Sequence, residues 1–548
     1  MNNKIIRILI ISWIIGLCIG CTSSFLDRPP LGELDKDQFI KTEDAGFKLL
    51  VNCYNPMAYA WTDQARFDIG DALTDDCAKG GSDAGDRMEI TQVSRGNPLP
   101  SNVLLTNYWQ HRYKHAISAC NTLLASVTPE AQLIEVGGAL VPQEKKERWI
   151  AEGHFLRAMY YFDITMLFGN IPIVDKPLEA VDKGKVVKVS HEEVLGFILA
   201  DLTAAIESSK LPKASKLPKD EFGRVTHEAA LAYRGKVYMW MHEFDKARKD
   251  FEAVINSGAY ELVDNYELLF SDVELGHKSR EAVFISIRDY IPGFNLERTI
   301  PPVMDTSRDP TVGGWGGACP TFNLKNEFED KDPRLVHSII QHMDRFPKLD
   351  GSEETHNNSG YDNFTKMHYR KHYAVLSMRK NGNDLQRTSW SFFHMRYADV
   401  LLMYAEALLE TGGDKQVIVE ILNKIRYRAF VTSSPKDSYA VKRAFDIPES
   451  ERVTEEVFNS KYKIKITDDL QAAIRHERRV EFAGEGLRLF DLLRWGTFVP
   501  TMKKFSQTAE GKYTGAGENV TDLTWPYPIP QSEIDDIGGS LVQNENYQ

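Results

Sequence analysis

The chain has 548 residues, 42% hydrophobic and 26% charged, the balance of an ordinary soluble globular protein long enough to bury an extensive core. Its 66 basic and 78 acidic residues give a formal charge of −12. An acidic surface repels phosphate backbones and anionic headgroups, so no nucleic acid is expected as a partner.

At the N-terminus, Lys4 and Arg7 precede an apolar run, residues 8–19, broken only by Ser12 and Gly16. Twelve helical residues span roughly 18 Å, too short for about 30 Å of hydrocarbon. The run reads as a secretory signal over residues 1–20. Gly20 directly before Cys21 resembles a lipobox, with Cys18 standing where a Leu is usual. Cys21 is therefore the expected lipidation site and the N-terminus of the mature chain. Acyl chains such as palmitate, at about 0.8 kcal/mol per buried CH₂, would make the anchor permanent. The mature chain then carries 64 basic and 78 acidic residues, a charge of −14. Its remaining cysteines, Cys53, Cys77, Cys120 and Cys319, are too widely spaced for a zinc site. Cys53 and Cys77 are the nearest disulfide candidates, and nothing in the sequence requires a bridge.

Pro29-Pro30 hold the tether extended. The first helical periodicity covers residues 42–57, with Phe47, Leu50, Val51 and Tyr54 on one stripe. Residues 68–102 are rich in Asp, Gly, Ser and Asn and predict a long loop, a feature that is usually functional. Helices follow over residues 107–126, 144–168, 191–208, 226–241 and 244–257, the second ended by Gly169 and Pro172. Gly235, Tyr238, Ala247 and Phe251 fall at the offsets of the packing residues in a tetratricopeptide hairpin, although Leu231 and Arg234 replace its Trp and Leu. A second hairpin, residues 396–428, places Ala405, Val417 and Ile421 at matching spacings. Between residues 281 and 389 periodicity fades. The predicted class is mainly α: a tetratricopeptide-like scaffold over about 40–280 and 390–500, carrying an irregular, loop-rich insert, in one domain spanning 21–548.

Several stretches carry a family resemblance. They include Arg475-His476-Glu477-Arg478-Arg479-Val480-Glu481-Phe482, continuing to Arg488-Leu489-Phe490-Asp491-Leu492-Leu493-Arg494-Trp495-Gly496. Others are Arg396-Tyr397-Ala398-Asp399-Val400-Leu401-Leu402, Ala151-Glu152 through Phe168-Gly169-Asn170-Ile171-Pro172, Phe25-Leu26-Asp27 and Tyr527-Pro528-Ile529-Pro530. In order along the whole chain, these resemble the SusD/RagB nutrient-binding lipoproteins. The ending Glu545-Asn546-Tyr547 departs from the usual Pro-Gly-Tyr. The resemblance implies an outer-membrane lipoprotein that serves as a lid on a SusC-like TonB-dependent barrel, presenting oligosaccharide or, in some branches, peptide. Family ligand residues lie in variable loops outside these signatures, so none is carried over.

Enzymatic readings fare poorly. The Arg- and Glu-rich segment at 475–494 interleaves charges with Ile474, Leu487, Phe490 and Leu493, which predicts packed, paired ions rather than an active site. Asp399 and Glu406 lie seven apart on one helix face, about 10 Å by the helical rise, near the separation in an inverting glycosidase. Arg396 is the expected neutralising partner. No Walker loop, nucleophile elbow or dinucleotide fingerprint appears, and His191-Glu192-Glu193 lacks a second His. His368, His372 and His394 form only a loose trio. No catalytic residue, metal or cofactor is expected.

Binding remains. Trp315, between Gly313-Gly314 and Gly316-Gly317, has no periodic pattern to bury it and suggests a ring on a flexible frame. Burying about 50 Å² on a sugar face gives on the order of 1 kcal/mol, and millimolar affinity needs about 4. Tyr290 and Phe294 are the expected aromatic companions, and Asp76, Arg95, Asn97 and Asn102 the expected polar ones. The alternatives are a peptide ligand, a lipid-anchored glycan hydrolase and an outer-membrane assembly scaffold.

Overall fold

The computed structural model describes residues 36–83, 85–288, 299–310, 312–347, 352–357, 364–379, 384–433 and 453–548. Cys21, Phe25-Leu26-Asp27, Tyr290 and Phe294 lie outside them.

The chain is mainly helical, and its helices begin where local chemistry caps them. Ser190 and Glu193 form a reciprocal capping box that opens His191–Glu207. Thr226 caps His227–Trp240 and Asp414 caps Lys415–Tyr427. Gln143–Phe168 stops at Gly169, whose φ of 62° suits a residue without a Cβ. The tetratricopeptide spacing has a direct physical counterpart. A Cβ on Gly235 would lie 2.6 Å from Phe251 Cε1, so the helix crossing depends on the small residue facing the aromatic one.

Neighbouring helices pack in sequence: Gln143–Phe168 on His191–Glu207, then His227–Trp240 and Phe244–Asn256. Phe244–Asn256 then packs on Tyr397–Glu410, which packs on both Lys415–Tyr427 and Leu470–Glu481. The second hairpin therefore continues the array begun by the first, and one core cluster runs from Leu50 to Leu541.

The insert leaves and rejoins the array at a single neck. Strand Ala282–Ser286 pairs antiparallel with Phe392–Arg396, so entry and exit are hydrogen-bonded to each other. Glu281 at that neck receives Arg396 Nη1 at 2.5 Å and Arg428 Nη1 at 3.3 Å. Three further two-stranded ribbons are present among the described residues. One of them, Cys77–Lys79 with Ala318–Pro320, ties the insert to the early polar region.

That early region is not the open loop its composition predicts. It contains the Cys77–Lys79 strand and the helix Met88–Ser94, and is entered by a further helix, Ala60–Gly70. The Ala60–Gly70 helix gives no amphipathic signal because it is buried all round beyond its first turn. Its charges are paired: Arg66 with Asp163 at 2.6 Å, Asp63 with Arg288 at 2.6 Å, and Asp68 with Arg87. At its end, a Cβ on Gly70 would run into the Gly486 carbonyl.

Candidate functional site

Trp61, in the first turn of that helix between buried neighbours such as Thr62 and Asp63, is 52% exposed. Its ring faces Trp315, with centroids 6.5 Å apart and planes within 28°. Trp315 is half-buried, its ring packed over Ile300, Met304, Val303, Val312 and Leu385.

The glycines around Trp315 act oppositely to the expected flexible frame. Trp315 N–H donates to Val303 O at 2.7 Å, and the amides of Gly314, Gly316 and Gly317 donate to Ser307, Thr306 and Met304 carbonyls at 2.8, 2.8 and 2.6 Å. A Cβ on Gly314 would collide with Thr306, and one on Gly317 would sit 2.5 Å from Met304 Sδ. The glycines permit close backbone approach, and the approach holds the ring rigidly.

The early region meets this loop edge to edge. Gly80 and Gly81 donate to the Gly317 and Gly316 carbonyls at 2.9 and 2.7 Å, extending the ribbon. Arg308 Nη1 donates to Trp315 O at 3.2 Å and lies 3.5 Å from Asp86 Oδ2. Burial pushes the Asp86 carboxyl up, but the Ser82 amide and hydroxyl, with Arg308 and Lys79, hold it below its ordinary range. It stays ionised beside Arg308 at neutral pH.

Of the four polar residues expected at the site, two are engaged elsewhere. Asp76 is buried, its Oδ1 accepting from Arg479 Nε at 2.8 Å, with Arg488 behind. Asn102 is buried as the N-cap of Val103–Trp109, accepting from Leu104 and Leu105 amides and donating to Glu89 O and Gln92 Oε1. Polar residues in a turn-rich stretch do solvent and structural work alike, and composition does not separate the two. Asn97 is exposed, and the Arg95 side chain, 46% exposed, lies 3.8 Å from Glu518 and walls a cleft. Trp61 escapes sequence reasoning because the stretch around it, Met57-Ala58-Tyr59-Ala60-Trp61-Thr62-Asp63, has no period to mark which ring is exposed. The four cysteines are buried without a disulfide; Cys77 neighbours Cys319 and Cys120 neighbours Cys53, so the sequence-nearest pair is not the spatial one.

The charge-dense candidates are neutralised. Asp399 meets Arg478 at 2.9 Å and Lys236 at 3.3 Å, and Glu406 meets Arg494 and the Trp495 indole. Arg396 is not their partner, as the sequence suggested, because it turns to Glu281, Glu481 and Glu485. Glu481 is surrounded by Arg334, Arg396 and Arg428, and Glu477 by Arg334 and Arg426. His372 bridges Asp305 and the Gly484 carbonyl, and His394 meets Ser286. Among the described residues no group of three or more His, Cys, Asp or Glu is placed to hold a metal.

Comparison with known proteins places this geometry. The profile of the SusD family matches residues 281–547, and that of a family described as starch-binding associating with outer membrane matches residues 25–239. SusD-like protein P2 of Formosa agariphila is 24% identical over 87% of this chain and 88% of its own length. A SusD-like protein of Bacteroides ovatus is 21% identical, over 90% and 83%. Among solved structures, surface glycan-binding protein A from Bacteroides fluxus aligns with a TM-score of 0.69 at 24% identity, covering 92% of this chain and all of its own. A laminarin binding SusD-like protein aligns at 0.70 and 23%, with the same coverages. Surface glycan-binding protein A from Bacteroides thetaiotaomicron, in complex with laminarihexaose, aligns at 0.67 and 20%, again with the same coverages. With both halves matched and the helical array shared from end to end, the chain belongs to the SusD/RagB family.

Proposed function

We propose that this protein is a lipid-anchored receptor at the outer-membrane surface that captures oligosaccharide and passes it to a SusC-like TonB-dependent barrel. The observation that carries the reading is the Trp61–Trp315 pair, near-parallel rings held at the surface by a rigid loop and a buried helix. An exposed aromatic face suits the apolar face of a sugar ring, at about 1 kcal/mol for each 50 Å² buried. Arg308, which donates to the Trp315 carbonyl, and Asp86 beside it supply charged, hydrogen-bonding groups next to the pair. The glycan-binding proteins among the structural relatives, one of them in complex with laminarihexaose, support a sugar over a peptide. The receptor is not an enzyme: its acid pairs are tied to arginine, and capture needs no turnover. Cys21 is its lipid attachment.

Calorimetric titration with a panel of oligosaccharides, laminarihexaose included, tests the site. Trp61→Ala and Trp315→Ala should each weaken binding about five- to thirtyfold, the loss of roughly 1–2 kcal/mol. Unchanged affinity in both variants removes the pair from the site. New reducing ends after prolonged incubation would replace the receptor with a hydrolase. Affinity capture from outer membranes should recover a large TonB-dependent barrel, and recovery of assembly factors alone would favour a scaffold.

A further inference from the structure

Five large aromatic side chains are exposed among the described residues: Phe47, Trp61, Phe322, Phe364 and Tyr513. Trp61 belongs to the pair above. Three of the other four form a second, separate series. Phe364 stacks on Tyr513 with centroids 4.7 Å apart and planes within 27°, and Phe322 meets Phe364 edge-on at 5.9 Å. These rings are 39%, 58% and 39% exposed for Phe364, Tyr513 and Phe322. They come from three distant parts of the sequence, so no local pattern accounts for their meeting at the surface.

Phe364 and Tyr513 form one wall of a cleft of about 370 Å³, floored by the Cys77–Lys79 and Ala318–Pro320 ribbon and closed by the Met88–Ser94 helix. That volume lies within the range of small-ligand sites. The floor is buried and rigid, since Ala78 pairs with Cys319 and Lys79 with Ala318. The ionisable character of the lining is one-sided. Among the described residues, Lys79 and Arg95 line the cleft and no carboxylate does, in a chain whose formal charge is −12. Their existing partners leave donors over: Lys79 Nζ donates to the Asp83 carbonyl, and Arg95 Nε stands 3.8 Å from Glu518, itself half exposed. Hydroxyls of Thr91, Ser94 and Thr514 complete the polar wall.

We propose that this cleft is a second sugar site, which binds an oligosaccharide segment carrying a carboxylate or sulfate ester. It stacks a sugar ring on Tyr513 and Phe364 and pairs the anion with Arg95 and Lys79. The inference rests on the receptor reading and deepens it, because the Trp61–Trp315 pair recognises a sugar face while the cleft, lined by Lys79 and Arg95, adds selectivity for an anionic group. Aromatic platform plus fixed cations is the combination that distinguishes an acidic sugar from a neutral one of the same shape.

The experiment is calorimetric titration of the purified protein with hexagalacturonate, a sulfated carrageenan oligosaccharide and laminarihexaose. It is run on wild type, Tyr513→Ala, Arg95→Gln and Trp61→Ala. At least one acidic oligosaccharide should bind, about fivefold more weakly in Arg95→Gln and in Tyr513→Ala, and more weakly as salt rises. Laminarihexaose binding should respond to Trp61→Ala and not to Arg95→Gln. Acidic binding that ignores both Tyr513 and Arg95, or acidic sugars that fail to bind while laminarihexaose does, overturns the cleft and leaves the receptor standing. Failure of all three sugars overturns the receptor reading itself, and the cleft with it. Melting temperatures of the variants, all at exposed side chains, should match wild type within a few degrees and so separate lost binding from lost folding.

Discussion

The segment from Leu470 to Arg494 and the pair Trp61–Trp315 are opposites. The first is crowded with Arg and Glu, yet Glu477, Arg478 and Glu481 are all but fully buried and each meets two or more opposite charges. The second has no charge of its own and presents an exposed Trp61 ring beside a half-buried Trp315 ring at the surface. Density of ionisable groups, the usual cue to a reactive site, marks here the places where helices are locked together. A buried ion must be paired, so a buried charged segment recruits partners from several elements and becomes a strut. An exposed ring needs no partner and remains open to a ligand.

The contrast can be broken or sharpened by experiment. Glu481→Ala leaves Arg334, Arg396 and Arg428 around an empty place and should cost about 3–5 kcal/mol in denaturant unfolding. The folded fraction should bind sugar as wild type does, and a selective loss of binding would place this segment in the site. Acid should find the same strut. Burial raises the Glu481 carboxyl, but Arg428, Arg396 and Arg334 hold it at about 2, against 4.5 when unfolded. Its stabilisation is complete above pH 4.5 and is lost as pH falls from 4.5 to 2, which should appear as a steep drop in melting temperature over that interval.

Asp71 runs the other way. Burial, with Asp76 nearby, pushes it up to about 8, so the folded state prefers it neutral. Below its unfolded value near 3.8 it costs nothing, and the cost grows as pH rises from 3.8 to 8. Asp71→Asn, which can still accept from Gly486 N–H, should therefore gain on wild type by a few degrees between pH 5 and pH 8. Asn102→Ala removes a helix cap and should cost about 1–2 kcal/mol while leaving sugar affinity intact. A binding defect there would restore Asn102 to the site. Smallest of all, Trp61→Ala should shift stability by no more than about 0.5 kcal/mol and yet give the largest loss of binding.

Much of the scaffold could be read from residue order. The caps at Ser190 and Thr226, the stop at Gly169 and the Gly235–Phe251 contact each follow from chemistry within a few turns of chain. The buried character of the 475–494 segment was legible too, because its charges alternate with Ile474, Leu487 and Phe490. The Ala60–Gly70 helix was not, because its polar face is satisfied by Asp163, Arg288 and Arg87, residues far along the chain.

The candidate site divides in the same way. Trp315 was visible as an unburied ring among glycines, whereas Trp61, and the commitment of Asp76 and Asn102 to Arg479 and to a helix end, were not. By itself the sequence determined the family, the helical class and the hairpins, all of which depend on spacing and on neighbours in the chain. Only the tertiary structure decided which polar groups are already satisfied and which rings meet at the surface. Asn102 apart, whose partners lie within 13 residues, those outcomes depend on pairings between distant residues, as with Asp76 and Arg479 or Trp61 and Trp315, and local patterning carries no record of them.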